Sequence, residues 1–250
     1  MNSIVVDRLT REFDGTRAVD QISFTVEVGE IFGFLGPNGA GKSTTIRMLT
    51  GQLRPTSGSA QVAGCDIVSQ RDQMKPQIGV VFDCQNIYER MTARDNLRFA
   101  ARLYRVDGHR VDEVLELVGL TGSAKKRTKM FSNGMKQRLV IARALLHQPK
   151  VLFMDEPTRG LDPHIARDIR SLIVQLAGQG MTIFLTTHYM EEADQLCRRV
   201  AFLDRGRIVA LDTPAGHKAA HQAAYGGEAP TLEDLFVKLT GSYLRGGERM

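Results

Sequence analysis

The run Gly36-Pro37-Asn38-Gly39-Ala40-Gly41-Lys42-Ser43-Thr44 constrains this chain more than any other stretch of it. It satisfies the pattern G-x-x-x-x-G-K-[ST] at every fixed position. An apolar, strand-like run at 31–35 precedes it, and a helix-like run at 43–49 follows. Glycines let such a loop turn its backbone N–H groups toward one point with no Cβ in the way. The helix start adds positive potential there. Lys42 contributes a mobile cation for the outer phosphates, and the Ser43 hydroxyl suits a hard cation such as Mg²⁺. The expectation is an α/β chain that cradles a phosphate-bearing nucleotide between its first buried strand and the next helix.

Composition narrows the alternatives. With 250 residues the chain holds one domain, or one domain with an insertion, and a substantial core. The formal net charge is +5, from 33 Lys and Arg against 28 Asp and Glu. Such a balance suits nucleic acid, an anionic membrane surface or a polyanionic nucleotide, and the loop favours the last. The 3 cysteines, Cys65, Cys84 and Cys197, are odd in number and lack metal-ligand spacing. A reducing compartment without a disulfide framework follows. No apolar run is long enough to span a bilayer, and no leader-like segment opens the sequence. The expected location is cytoplasmic, with membrane association only through a partner.

Periodicity organises the rest. Residues 23–28 alternate as a strand, and Gly29-Glu30 turns the chain into the strand before the loop. Residues 54–58 read as a stop and turn, with short strands near 61–63 and 78–82. Thr92 and Asp95 make a capping-box start for a helix to Tyr104. Residues 111–118 have helical spacing, stopped by Gly119, and a further helix starts at Ser132. This helical middle looks inserted into a β/α core. Continuous apolar runs at 151–154 and 181–186 read as strands buried on both faces, with a helix between them at 165–176. A hairpin spans 200–210. Beyond Pro214 the chain reads as loop or weak helix, then as a capped helix at 231–239 stopped by Gly241. The last residues are expected to be disordered.

Three further positions carry chemistry. Asp155 and Glu156 follow a buried strand, and ligands bind at the carboxyl edge of an open parallel sheet. The first carboxylate suits Mg²⁺, directly or through water. The second suits the general base that draws a proton from an attacking water. His188 follows the other apolar run, on the same edge, where an imidazole reaches a γ-phosphate or that water.

Phe131-Ser132-Asn133-Gly134-Met135-Lys136-Gln137-Arg138-Leu139 reads, on its own, as a capped helix with Leu139, Ile141, Ala142 and Leu145 on its apolar face. Taken with the motifs before and after it, the segment resembles the signature of ATP-binding-cassette (ABC) ATPases, usually Leu-Ser-Gly-Gly-Gln. The resemblance runs from near the N-terminus to about Gly206. Phe13 holds the place of the family's adenine-stacking aromatic. Residues 36–44 match its nucleotide loop, 151–156 its acidic strand, Leu161-Asp162 the loop across the dimer seam, and His188 the switch histidine. The departures are specific. The family's glutamine after residues 78–82 aligns with Asp83, with Gln85 nearby, so either can take that place beside Mg²⁺ and the coupling groove. Asn133 replaces the first signature glycine, in a turn expected to tolerate left-handed backbone. Met135 replaces the signature glutamine. Residues 135–138, 156–163 and 232–236 together resemble ATPases of the ABC-2 exporter class, which includes drug and antibiotic self-resistance pumps.

What the resemblance implies is a P-loop NTPase with a RecA-like core, an N-terminal β subdomain and an inserted helical subdomain. Residues 1–84 and 147–212 would form the ATP-binding core, 85–146 the helical signature subdomain, and 213–250 a C-terminal extension. It further implies ATP and Mg²⁺ as ligands, and a nucleotide-dependent head-to-tail homodimer, or a heterodimer with a second ATPase subunit. Ser132 and Gly134 of one copy would face the ATP held by residues 36–44 of the other. A separate polytopic membrane subunit would dock near residues 83–104, with transport direction resting on analogy. A soluble cassette ATPase acting on nucleic acid or ribosomes is the alternative. Most such proteins carry two cassettes or a large insertion, which this chain lacks, so no nucleic-acid partner is expected. A P-loop GTPase or small-molecule kinase would lack the Asn-Lys-x-Asp guanine motif here and leave the signature segment unexplained.

Overall fold

A computed structural model describes residues 1–82, 86–225 and 230–241, the side chains of 224 and 225 excepted. The roles weighed for Asp83 and Gln85, the thiol of Cys84, and the disorder expected of residues 242–250 lie outside the described residues.

The chain opens with β1 (Asn2–Phe13), β2 (Thr16–Glu27), β3 (Ile31–Leu35), α1 (Lys42–Leu49), β4 (Ser57–Val62), β5 (Cys65–Asp66), α2 (Arg71–Met74) and β6 (Ile78–Val81). Three helices follow, α3 (Ala93–Tyr104), α4 (His109–Leu117) and α5 (Asn133–Leu145). Alternation then resumes with β7 (Val151–Asp155), α6 (Pro163–Gly178), β8 (Thr182–Thr187), α7 (Met190–Leu196), β9 (Arg199–Asp204) and β10 (Arg207–Asp212), and the described chain ends in α8 (Pro214–Tyr225) and α9 (Leu232–Thr240). Strands β2-β1-β4-β5 form an antiparallel sheet. The second sheet has the order β10-β9-β3-β8-β7-β6. Its five inner-numbered strands pair in parallel, and β10 lies antiparallel on β9. The helical middle is thus an excursion between two neighbours, β6 and β7. Among the described residues no helix is long and apolar enough to cross a membrane.

Side-chain caps start three of the helices. The Thr92 hydroxyl accepts from the Asp95 N–H at 3.1 Å and starts α3. Ser132 Oγ accepts from the Met135 N–H at 3.3 Å and starts α5. Thr231 and Asp234 form a complete capping box on α9. Two expectations are corrected. Asn133 is the first residue of α5 and is absent from the left-handed residues, because Ser132 already supplies the extended cap. Ser57 and Gly58 belong to β4 rather than to a turn, since β4 is recruited by pairing with β1. Residues 214–225, read as loop or weak helix, form α8.

The large sheet divides the core by strand alternation. Phe32, Phe34, Phe153 and Phe184 face the antiparallel sheet and α1. Ile31, Leu35, Leu152, Met154, Ile183 and Leu185 face the helical side, with α3 to α7 and α9. Phe184 has the rings of Phe24, Phe32, Phe34 and Phe153 around it at centroid distances of 6.0, 5.7, 5.4 and 5.5 Å. A part-buried two-pronged ion pair joins the sheet's start to β9: Arg199 Nε lies 2.7 Å from Glu30 Oε1, and a terminal nitrogen 2.8 Å from Oε2. At the outer strand β6, the Ile78 carbonyl accepts from His147 Nε2 at 2.8 Å, and Tyr104 stacks on that imidazole at 4.2 Å.

Because Phe184 is fully buried at the centre of this aromatic group, Phe184→Ala should lower unfolding stability by about 3–5 kcal/mol. A urea midpoint equal to the parent's would contradict that placement.

Candidate active site

Strand register assembles the site. Leu35 pairs with Thr187, and Asp155 pairs with Thr186. Residues 36, 156 and 188 therefore leave three adjacent parallel strands at one level, on the carboxyl edge of the sheet.

The glycine-rich loop wraps this edge. Gly41 caps α1 with φ +107°, and a Cβ there would lie 2.4 Å from the Ala18 carbonyl oxygen. No L side chain fits either demand. Gly36 and Ala40 are buried beneath the loop, whereas Asn38 and Gly39 are exposed on it. Lys42 is buried at 6% exposure, yet its ammonium is fully engaged. It donates to the carbonyls of Gly36 at 2.6 Å and Pro37 at 3.2 Å, and lies 3.3 Å from Glu156 Oε1. The lysine is thus held over the loop rather than free to swing.

Asp155 closes the floor. Ser43 Oγ donates to its Oδ2 at 2.7 Å, and Thr186 Oγ1 to its Oδ1 at 2.5 Å. Glu156 follows in a left-handed conformation, φ +52°, pinned by its N–H to Thr186 O at 3.0 Å. That turn is unusual for a residue with a side chain and signals a functional constraint. It directs the carboxyl between two nitrogens. Oε2 lies 2.6 Å from His188 Nδ1, while buried Oε1 faces Lys42 and accepts no hydrogen bond.

An open cavity of about 430 Å³ lies over these groups, lined by Pro37, Asn38, Gly39, Gly41, Lys42, Ser43, Thr44, Asp155 and Glu156 among others. The structure therefore brings together the loop, the acidic pair and, through Glu156, the histidine. Other expected residues lie apart from this cavity. Phe13 ends β1, 41% exposed, with the Arg11 guanidinium 4.4 Å above its ring. Ser132 is exposed at the start of α5. Gly134 is buried against α6, where a Cβ would meet Ile165 Cγ2 at 2.4 Å, so its smallness serves helix packing. Asp162 is exposed and begins α6.

Sequence reasoning missed Thr186, which orients Asp155, and the lining residues Arg47, Gln52, Asn86 and Arg159. For Thr186 a signal existed. Two hydroxyls follow the apolar run 183–185 at the end of β8, and both are fully buried. A buried hydroxyl needs a partner, and an acid on the neighbouring strand is in reach.

Among the described residues no three His, Cys, Asp or Glu side chains cluster as a metal cage. The site instead offers hard oxygens beside a basic, N–H-rich loop, which suits a nucleotide that brings its own phosphate oxygens.

Comparison with known proteins agrees with this chemistry. The profile of the ABC transporter family matches residues 19–159. The fluoroquinolones export ATP-binding protein of Mycobacterium tuberculosis is 46% identical over 221 residues, covering 86% of this chain and 73% of that protein. The bacitracin transport ATP-binding protein BcrA of Bacillus licheniformis is 42% identical over 203 residues, covering 80% and 66%. A solved ATP-binding subunit of an ABC transporter superposes with a TM-score of 0.83 at 28% identity, covering 95% of this chain and 99% of that one. With the loop, acidic pair and signature helix in family order on a cassette fold, the chain belongs to the ABC transporter family and is an ATP-binding ATPase of it.

Proposed function

We propose that the chain hydrolyses ATP through Glu156 and that this reaction powers export through a separate polytopic membrane subunit. The observation that carries the reading is the placement of Glu156, with a hydrogen-bond-free buried oxygen, between Lys42 and His188 at the mouth of the glycine-rich loop.

The roles follow from the contacts. The loop N–H groups and the start of α1 receive the phosphates. Lys42, already held at the loop, shares its charge with the outer phosphates, which compete with Glu156 for it. Glu156 Oε1 accepts the proton of the attacking water, and His188 holds the carboxyl in line from the other side. Ser43 Oγ and Asp155 Oδ2, 2.7 Å apart, are the hard donors that fit Mg²⁺, and Asp83 is a further candidate from outside the described residues. An ion held there would offset the negative charge of the phosphates. Phe13 offers a ring for adenine.

Ser132 and Gly134 lie away from their own chain's cavity, at the exposed N-terminus of a 13-residue helix. Asp162 is exposed on the loop after Glu156. Both placements support a head-to-tail dimer in which α5 of one copy completes the site of the other. The domain limits proposed are 1–84 with 147–212 for the ATP-binding core, 85–146 for the signature segment and 213–250 for the extension. Exposed Tyr88, Phe99, Leu103 and Tyr104 support a membrane-subunit contact on the helical segment near residues 83–104. The protein would then sit at the cytoplasmic face of the membrane through that partner, with no nucleic acid involved. The names of the relatives support a drug or antibiotic as cargo.

Glu156→Gln should keep ATP binding and lower turnover by about 10²–10⁴-fold, the usual loss with a general base. Phosphate release and equilibrium ATP binding, with Lys42→Ala as the binding-deficient control, check this. Parental turnover in Glu156→Gln would remove Glu156 as the base.

A second expectation concerns sharing of the site. Ser132→Arg should leave ATP affinity at the parental value and abolish turnover, because the arginine would block the partner's γ-phosphate rather than its own. Full activity in that variant argues against a shared site. Co-purification of a polytopic membrane protein with the tagged chain tests the export reading, and recovery of RNA or DNA instead would redirect it.

A further inference from the structure

Glu192 is a buried acid to which nothing above gives a task. It lies on α7, four residues beyond His188, and is 1% exposed. An acid on a short helix near the surface ordinarily faces water. Here Thr158, itself 6% exposed, donates its hydroxyl to Glu192 Oε1 at 2.8 Å. Burial is the largest influence on this carboxyl and pushes it above the usual range, against the opposing pull of the Thr158 and Thr187 hydroxyls and of Arg170.

The bond has a particular position. Thr158 belongs to the turn that begins at Glu156: Arg159 N–H donates to Glu156 O at 3.1 Å, and Leu161 N–H to Thr158 O at 3.2 Å. Glu192 belongs to the helix that begins just after His188, with Ala193 N–H donating to Tyr189 O at 3.3 Å. The same two segments meet a second time at Glu156 Oε2 and His188 Nδ1, 2.6 Å apart. They are therefore joined at two points: the part-buried Glu156–His188 contact at the front, and the Thr158–Glu192 bond at the rear, on the wall of a second cavity that His188 also lines. The front contact must adapt as charge moves during turnover. The rear contact has no reason to.

We propose that Glu192 is a positioning residue: through the Thr158 hydroxyl it holds the turn that carries Glu156 against the segment that carries His188, so that both groups meet the substrate in one geometry. The proposal rests on the reading of Glu156 and His188 given above, and adds the fixed point behind them. It explains why a carboxyl is kept dry at this place. A misplacement of about 1 Å at a reacting group costs about 10²-fold in rate, so a rear anchor has kinetic value.

The test uses the full chain with Thr158→Val, which keeps shape and removes the donor, and Glu192→Leu, which removes the acceptor. Thr158→Ser and Glu192→Gln keep donor and acceptor. Steady-state ATPase kinetics and amide hydrogen exchange at Arg159 and Leu161 are measured on each. The expected result is that Thr158→Val and Glu192→Leu each lower kcat about tenfold or more with KM for ATP unchanged. Exchange at Arg159 and Leu161 should speed up in both, the double variant should be no worse than the poorer single one, and Thr158→Ser and Glu192→Gln should keep parental kcat and exchange. Parental exchange in Thr158→Val overturns the tie whatever its activity. Faster exchange with parental kcat overturns the positioning role. If Thr158→Val does not fold, the conservative pair decides: loss of kcat in folded Thr158→Ser and Glu192→Gln overturns the proposal, and its retention supports it. Parental turnover in Glu156→Gln alongside the expected exchange pattern would fault the reading of Glu156 and leave the tie standing.

Discussion

Parallel pairing among β3, β8 and β7 is the constraint on which the rest of the molecule depends. It places Leu35 beside Thr187 and Asp155 beside Thr186. A slip of one residue would turn every side chain of a strand to the other face. It would also put the glycine-rich loop, the acidic pair and the histidine at different heights. The register is fixed by burial on both faces, since all of β3, β7 and β8 is buried. Phenylalanines dominate one side, and Ile, Leu and Met the other, so a slip would exchange sets of different shape. Site geometry is in this sense a by-product of core packing.

Much of this was legible along the chain, and the reason is locality. A phosphate loop, a strand followed by two acids, and a cap such as Thr92, Ser132 or Thr231 all state their chemistry within a few residues. The helix stops at Gly119 and Gly241 are local in the same way, each with positive φ. What was illegible joins distant segments. The Thr186 hydroxyl reaches Asp155 across 31 residues, and Thr158 reaches Glu192 across 34. Periodicity assigns such residues to a strand or a helix face but says nothing of their partner. Asn133 shows the converse error. A substitution in a glycine-rich pattern suggested a left-handed turn, yet the cap before it had already set the helix going.

Gly134 meets a packing demand at a position that motif reading ties to a different one. Motif reasoning assigns it to nucleotide recognition, whereas its surroundings show a helix start pressed on Ile165 of α6. That packing ties α5 to the element that follows Glu156 and Asp162. A movement of the signature helix would then be felt at the acidic loop through van der Waals contact, with no polar link required.

The contact of His147 with Ile78 has a consequence for how the chain avoids its own copies. β6 ends the large sheet, and an end strand offers unpaired backbone groups to any other strand it meets. Here an imidazole occupies the Ile78 carbonyl, and Tyr104 lies flat on that ring. A Cβ on Gly79 of the same strand would lie 2.6 Å from the Ala144 carbonyl oxygen, so the end of α5 rests directly on the strand. The helical excursion thus shields the border of the sheet from which it departs. The residue that covers the border lies four positions before β7, so the chain carries the cover for its end strand next to the strand that makes it an end.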